Sequence, residues 1–155
     1  MKKTHLALAA VTLAVGLTAC GTAEPDGPRP KTPMPGNVPA GPEYATADAV
    51  MKAMGTGGVA CKLLRRAQAD FGSGLDCVAE VDGAEVENEI HVLDPARFTR
   101  DDIGDSIAGR RQPPYSHTIV AAGNWYVWVR NPDYAPQVAE ALRGVVLKPL
   151  GESKG

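Results

Sequence analysis

The residues whose spacing could do chemistry are a run of carboxylates, two histidines and two tryptophans. From Leu75 the apolar period is two. Leu75, Cys77, Ala79 and Val81 face one way, and Asp76, Val78 and Glu80 the other. Asp82-Gly83 is a strong two-residue hairpin turn. The returning strand turns Ala84, Val86, Asn88, Ile90 and Val92 inward and Glu85, Glu87, Glu89 and His91 outward. Folding about the turn sets Glu80 opposite Glu85 and Asp76 opposite Glu89, with Glu87 between. Directly opposed like charges cost up to about 1 kcal/mol. Such a strip could hold a cation or a basic partner, with His91 as a further ligand. It also reads as a solvated outer face partly neutralised by Arg65 and Arg66. A row of acids lacks the convergence that a metal needs, so no metal is assigned.

Trp125 and Trp128 point to opposite faces of one strand, so one helix layer cannot cover both. Either Trp125 or the Tyr126/Trp128 pair, with Arg130 beside it, is then left as a binding patch, unless the Pro113-Pro114 loop or another element covers it. Catalysis has thin support. There is no Gly-x-Ser-x-Gly, no His-Glu-x-x-His and no glycine-rich phosphate loop. His91 and His117 have no nucleophile motif beside them, and Asp101, Asp102 and Asp105 read as helix-start and surface charges. The expectation is a non-enzymatic chain with no cofactor.

The N-terminus carries a different signal. Lys2 and Lys3 precede an apolar run over residues 6–17, broken only by Thr12 and Gly16. This is a secretory pattern, too short for the roughly 20 apolar residues of a membrane span. Leu17, Thr18, Ala19 and Cys20 resemble a bacterial lipoprotein lipobox. The resemblance implies cleavage before Cys20, a diacylglycerol on its thiol and an acyl chain such as palmitate on the new amine. At about 0.8 kcal/mol per buried CH2, two or three chains hold a protein firmly on a bilayer. Removing residues 1–19 leaves 14 basic and 18 acidic side chains, a formal −4, because the signal holds two lysines and no acid. That balance argues against nucleic acid and against a polybasic grip on anionic lipid. With Cys20 lipidated, Cys61 and Cys77 are the cysteines left in an exported chain, so they should pair. Their spacing excludes a Cys-x-x-Cys redox motif, and the sequence nearby lacks further zinc ligands.

These residues need elements to position them. Residues 20–43 form a proline-rich linker with few apolar side chains beyond Met34 and Val38, and read as an extended spacer of up to roughly 70 Å. The folded domain is expected over residues 44–150, with a flexible tail over 151–155. Thr46 caps a helix with Ala47, Val50, Met51 and Met54 on one face, stopped at Gly55. Residues 59–67 are ambiguous and lean to strand; Gly72, Ser73 and Gly74 read as a loop before the hairpin. Asp94-Pro95 suggests a helix start, with Thr99 and Asp102 a second one; Phe98, Ile103 and Ile107 give that helix a narrow apolar face, and Gly109 ends it. Residues 116–122 and 125–130 form a strand pair about Gly123-Asn124. Asn131-Pro132-Asp133 opens a last helix buried through Tyr134, Val138, Ala141 and Leu142, and residues 145–150 are an apolar tail. The expected class is α+β: an antiparallel sheet of four to five strands with about three helices on one face, ordered α-β-ββ-α-ββ-α.

The sequence of a Cys, a variable loop, a second Cys, a strand pair, a helix, a strand, a Gly-x-Trp-x-Val strand and a closing helix ending in Gly is similar to small lipoproteins of actinobacteria, many of them from streptomycetes. Cys61, Cys77, Gly123, Asn124, Trp125, Val127, Leu142 and Gly144 carry the likeness. It implies an envelope location and a disulfide, and transfers no catalytic residue. The expected role is an interaction domain on the outer face of the cell membrane, engaging another envelope protein. The alternative is a small-ligand or cation-binding module using the acidic strip or the aromatic strand. The sequence fixes no oligomeric state.

Overall fold

A computed structural model of the chain describes residues 28–69 and 72–151. The expected signal over 1–19, Cys20 and most of the tail lie outside the described residues. Helix α1 (Ala47–Thr56) is capped by Thr46, whose side chain accepts from the Ala49 amide, and ends at Gly57 rather than Gly55. Strand β1 (Cys61–Ala69) settles the ambiguous segment as strand, with a bulge between Leu63 and Arg65. Strand β2 (Gly72–Val81) begins at the residues expected to be a loop, because Ser73 and Gly74 pair with both β1 and β3 (Ala84–Leu93). The hairpin closes through Asp82 and Gly83, both at positive φ, in the expected register.

Helix α2 (Arg100–Arg111) starts at the second of the two expected signals. Thr99 and Asp102 form a reciprocal capping box, while Asp94 closes a single turn, its side chain accepting from the Ala96 amide and its carbonyl from the Arg97 and Phe98 amides. Gly109 does not end the helix. Strands β4 (Ile119–Ala122) and β5 (Trp125–Val129) follow, then a single 3-10 turn (Pro132–Tyr134), helix α3 (Ala135–Leu142) and β6 (Val145–Leu147).

The class is α+β, with one antiparallel sheet of six strands in the order β1-β2-β3-β5-β4-β6. The sixth strand is the apolar tail after Gly144, which pairs with β4. The helices do not share one face. Ala47, Val50 and Met54 of α1 and Val138 and Leu142 of α3 pack on Leu75, Cys77, Ile90, Val120, Trp125 and Val127. Ile103 and Ile107 of α2 pack on the other face with Leu93, Ile119, Ala121, Tyr126 and Leu147. The reason lies in β4 and β5. Ile119, Val120, Ala121 and Ala122 are all buried, as are Trp125, Tyr126 and Val127, so both faces of these strands need cover.

The linker also departs from a free spacer. Residues 28–42 lie against α2 and the β4–β5 turn, and Val38 is 4% exposed within the α2 core. Six prolines among these residues restrict the unfolded chain, so ordering the segment costs less entropy than its low apolar content suggests.

Candidate functional site

The pleat places alternate residues of β3 and β5 on the α2 face, and their register sets His91 beside Tyr126 and Glu89 beside Trp128. Tyr126 is buried, with its hydroxyl 3.0 Å from Ser106 Oγ on α2. The His91 ring stacks on Tyr126 at 4.7 Å and sets Nε2 2.5 Å from Glu89 Oε1. Arg110, in the last turn of α2, donates to the same oxygen at 3.0 Å. The His91 hydrogen bond, and then the charges of His91 and Arg110, outweigh burial and hold the Glu89 carboxyl at about 2. Glu89 therefore joins two parts of this face.

The first part is a cleft of about 300 Å3 between α2 and β3, lined by His91, Leu93, Phe98, Ser106 and Tyr126, with Asp102 and Asp105 from α2 also in its wall. Lys31 lies 2.5 Å from Asp102, and Arg29 2.9 Å from Asp105.

The second part is a ladder of rings and guanidinium at the C-terminal end of α2. Tyr115, 61% exposed, meets His117 edge-on at 5.6 Å. His117 stacks flat on the half-buried Trp128, with centroids 3.5 Å apart and planes 4° from parallel. The Arg130 guanidinium lies 4.6 Å from the centre of the Trp128 ring and pairs with Glu87 at 2.8 Å. Burial, and then the charge of Arg110, push His117 below its usual range. A neutral imidazole stacks on indole without a charge to desolvate.

The structure divides the residues singled out by sequence. Trp125 is fully buried beneath α1 and α3, and its Nε1 donates to the Pro42 carbonyl at 2.8 Å. Tyr126 is buried beneath α2, so neither contributes a surface, and the element that covers the second face is α2 rather than the Pro113-Pro114 loop. Trp128 and Arg130 remain accessible. The acidic strip is laid out in the expected register, Glu80 opposite Glu85 and Asp76 opposite Glu89, but Asp76, Glu87 and Glu89 each turn to partners of their own. Arg65 holds Asp76, Arg130 holds Glu87, and His91 with Arg110 holds Glu89, while Arg66 pairs with Asp48 instead. Among the described residues no three acidic, histidine or cysteine side chains converge to hold a metal ion. Cys61 and Cys77 are joined, with Sγ–Sγ 2.05 Å and Cα–Cα 5.6 Å.

Sequence reasoning missed Arg110, Tyr115 and His117 as members of the site. They lie on other elements, and the β3–β5 pairing that sets Glu89 beside Trp128 leaves no local sequence signal. Among the described residues no helix is long and apolar enough to cross a membrane. No family model, curated protein or solved structure matches the chain.

Proposed function

We propose that this chain is a bacterial lipoprotein, anchored through Cys20 on the outer face of the cell membrane, that displays a non-enzymatic domain for binding another envelope protein. The lipobox residues support the anchor. The Trp128 ring supports the interaction role, because it is held flat against His117 and beside Arg130 while still reaching solvent. Tryptophan and arginine are both enriched in binding hot spots, and a ring already held in place has little side-chain freedom left to lose on association.

The test is in-cell crosslinking of the lipidated protein with mass spectrometry of what it captures. One reproducible envelope partner, lost in Trp128→Ala while the variant keeps the wild-type near-ultraviolet dichroism, supports the reading. Undiminished capture by a folded Trp128→Ala protein sinks it.

A second reading rests on the α2 cleft, whose apolar floor and Ser106–Tyr126 hydroxyl pair suit a small ligand. Calorimetric titration with small solutes tests it. Binding abolished by Ser106→Phe, which fills the cleft, supports this reading. No heat with any solute counts against it.

A further inference from the structure

Residues 28–42 are held by contacts that differ in kind from those inside the domain. Their one buried apolar side chain is Val38, joined by the half-buried Met34. The rest is polar. Asp105 accepts from the Thr32 amide at 3.0 Å and from Arg29, Lys31 reaches Asp102, and Arg100 donates to the carbonyls of Val38 and Pro39. The Arg29 and Lys31 side chains are 79% and 54% exposed, so solvent and salt compete for these pairs. Toward the domain the Gly123 amide donates to the Pro39 carbonyl at 2.9 Å, and beyond it the buried Trp125 Nε1 donates to the Pro42 carbonyl at 2.8 Å, which pins the end of the segment.

The seat for this segment is cut into α2 at one residue. A Cβ on Gly104 would stand 2.4 Å from the Met34 nitrogen and 2.7 Å from its Cα, and both are backbone atoms that cannot turn aside. A glycine in the middle of a helix costs stability relative to alanine. The close approach of the strap is what Gly104 allows in return.

We propose that residues 28–41 are a releasable strap that sets how far the domain stands from its anchor, with Pro42 kept on the domain by Trp125. The consequence for reach rests on the lipoprotein reading; the strap itself does not. Docked, only residues 21–27 separate Cys20 from the domain, a span of about 22 Å at about 3.1 Å per residue. Released, residues 21–41 do, a span of about 65 Å at about 3.1 Å per residue. Docking keeps the domain within the shorter span of its anchor. Release exposes the outer side of α2 and lets the domain reach a partner further away.

The experiment uses the full mature chain and has two arms. The first is hydrogen exchange in solution, which needs no lipid. Gly104→Ala is expected to speed exchange of the Val38 and Gly123 amides by about tenfold or more while residues 105–108 of α2 keep their protection. If α2 itself loosens, Arg29→Ser with Lys31→Ser decides, because these changes lie on the strap alone. Unchanged exchange at Val38 and Gly123 in both proteins overturns the strap. The second arm places the lipidated protein on phosphatidylglycerol–phosphatidylethanolamine vesicles carrying a dansyl headgroup, with the native tryptophans as donors. Energy transfer is expected to fall by roughly twofold in Gly104→Ala. Unchanged transfer in a chain whose strap amides exchange fast overturns the change in reach. Failure to associate with the vesicles counts instead against the anchor.

Discussion

Glu89 accepts from two donors on two elements, His91 on its own strand and Arg110 on α2, so its charge has a structural consequence. Its carboxyl sits at about 2 against an ordinary 4.5, which corresponds to about 3 kcal/mol of stability at neutral pH by linkage. A fifth of the side chain is exposed, and screening trims this to roughly 1–2 kcal/mol. The folded value lies below the unfolded one. The stabilisation is therefore complete above about 4.5 and is lost as pH falls toward about 2. Urea unfolding of wild type and Glu89→Gln is expected to differ by about 1–2 kcal/mol at pH 7, with the gap closing as pH falls toward 2. A gap that stays constant over that range assigns the loss to packing. The two tryptophans separate in the same assay. Trp125→Ala empties a fully buried site and is expected to cost about 3–5 kcal/mol, whereas Trp128→Ala, half-buried, costs about 1–2 kcal/mol and leaves a folded chain.

Among the elements, α2 is the one on which the site depends, since it supplies Ser106 and Arg110 and roofs Tyr126. Its start rests on the Thr99–Asp102 box, so Thr99→Ala is expected to cost about 1 kcal/mol, read as a shift in the denaturant midpoint at unchanged slope. The box was legible in the sequence, as were the Asp82-Gly83 hairpin and its register. The side of the sheet taken by α2 was not, because Phe98, Ile103 and Ile107 make a helical stripe that fits either face. The missing information sat in β4, where Ile119 to Ala122 are apolar without alternation, the pattern of a strand covered twice. Strand β6 was hidden for another reason. Its three residues directly after Gly144 are too few for a period to show. The strap was hidden by its prolines, which mark both a solvated extended chain and one pre-shaped to dock. What distinguishes the two is Gly104, on another element, and no local pattern links them.

For the whole molecule, the sheet is unevenly supported. Its centre, β5 and β4, is covered on both faces and β3 on one, whereas β1 is an edge strand exposed through Lys62, Leu64, Arg65, Arg66 and Ala67. Its ladder to β2 is interrupted by the bulge after Leu63, and its ion pairs to Asp76 and Asp48 are solvent-facing. The disulfide crosses this weak join, from Cys61 on β1 to Cys77, which lies opposite Leu63. A link closing a loop of about 15 residues is worth about 3 kcal/mol through the unfolded chain. Asn88 adds to the dependence: it is buried beside the bridge, its Nδ2 lies 3.9 Å from Cys61 Sγ, and its Oδ1 has no partner among the described residues. The Cys61→Ala, Cys77→Ala chain is therefore expected to lose about 3 kcal/mol and to open in order, with the β1 amides exchanging first and those of β3 and β5 keeping protection. The ladder at Trp128 is built on β5, so it survives the opening of β1, and partner capture should persist at temperatures where β1 has already exchanged. Simultaneous loss of protection in β1, β3 and β5 would mean instead that the bridge stabilises the sheet as one cooperative unit, and capture would then fail with the global transition.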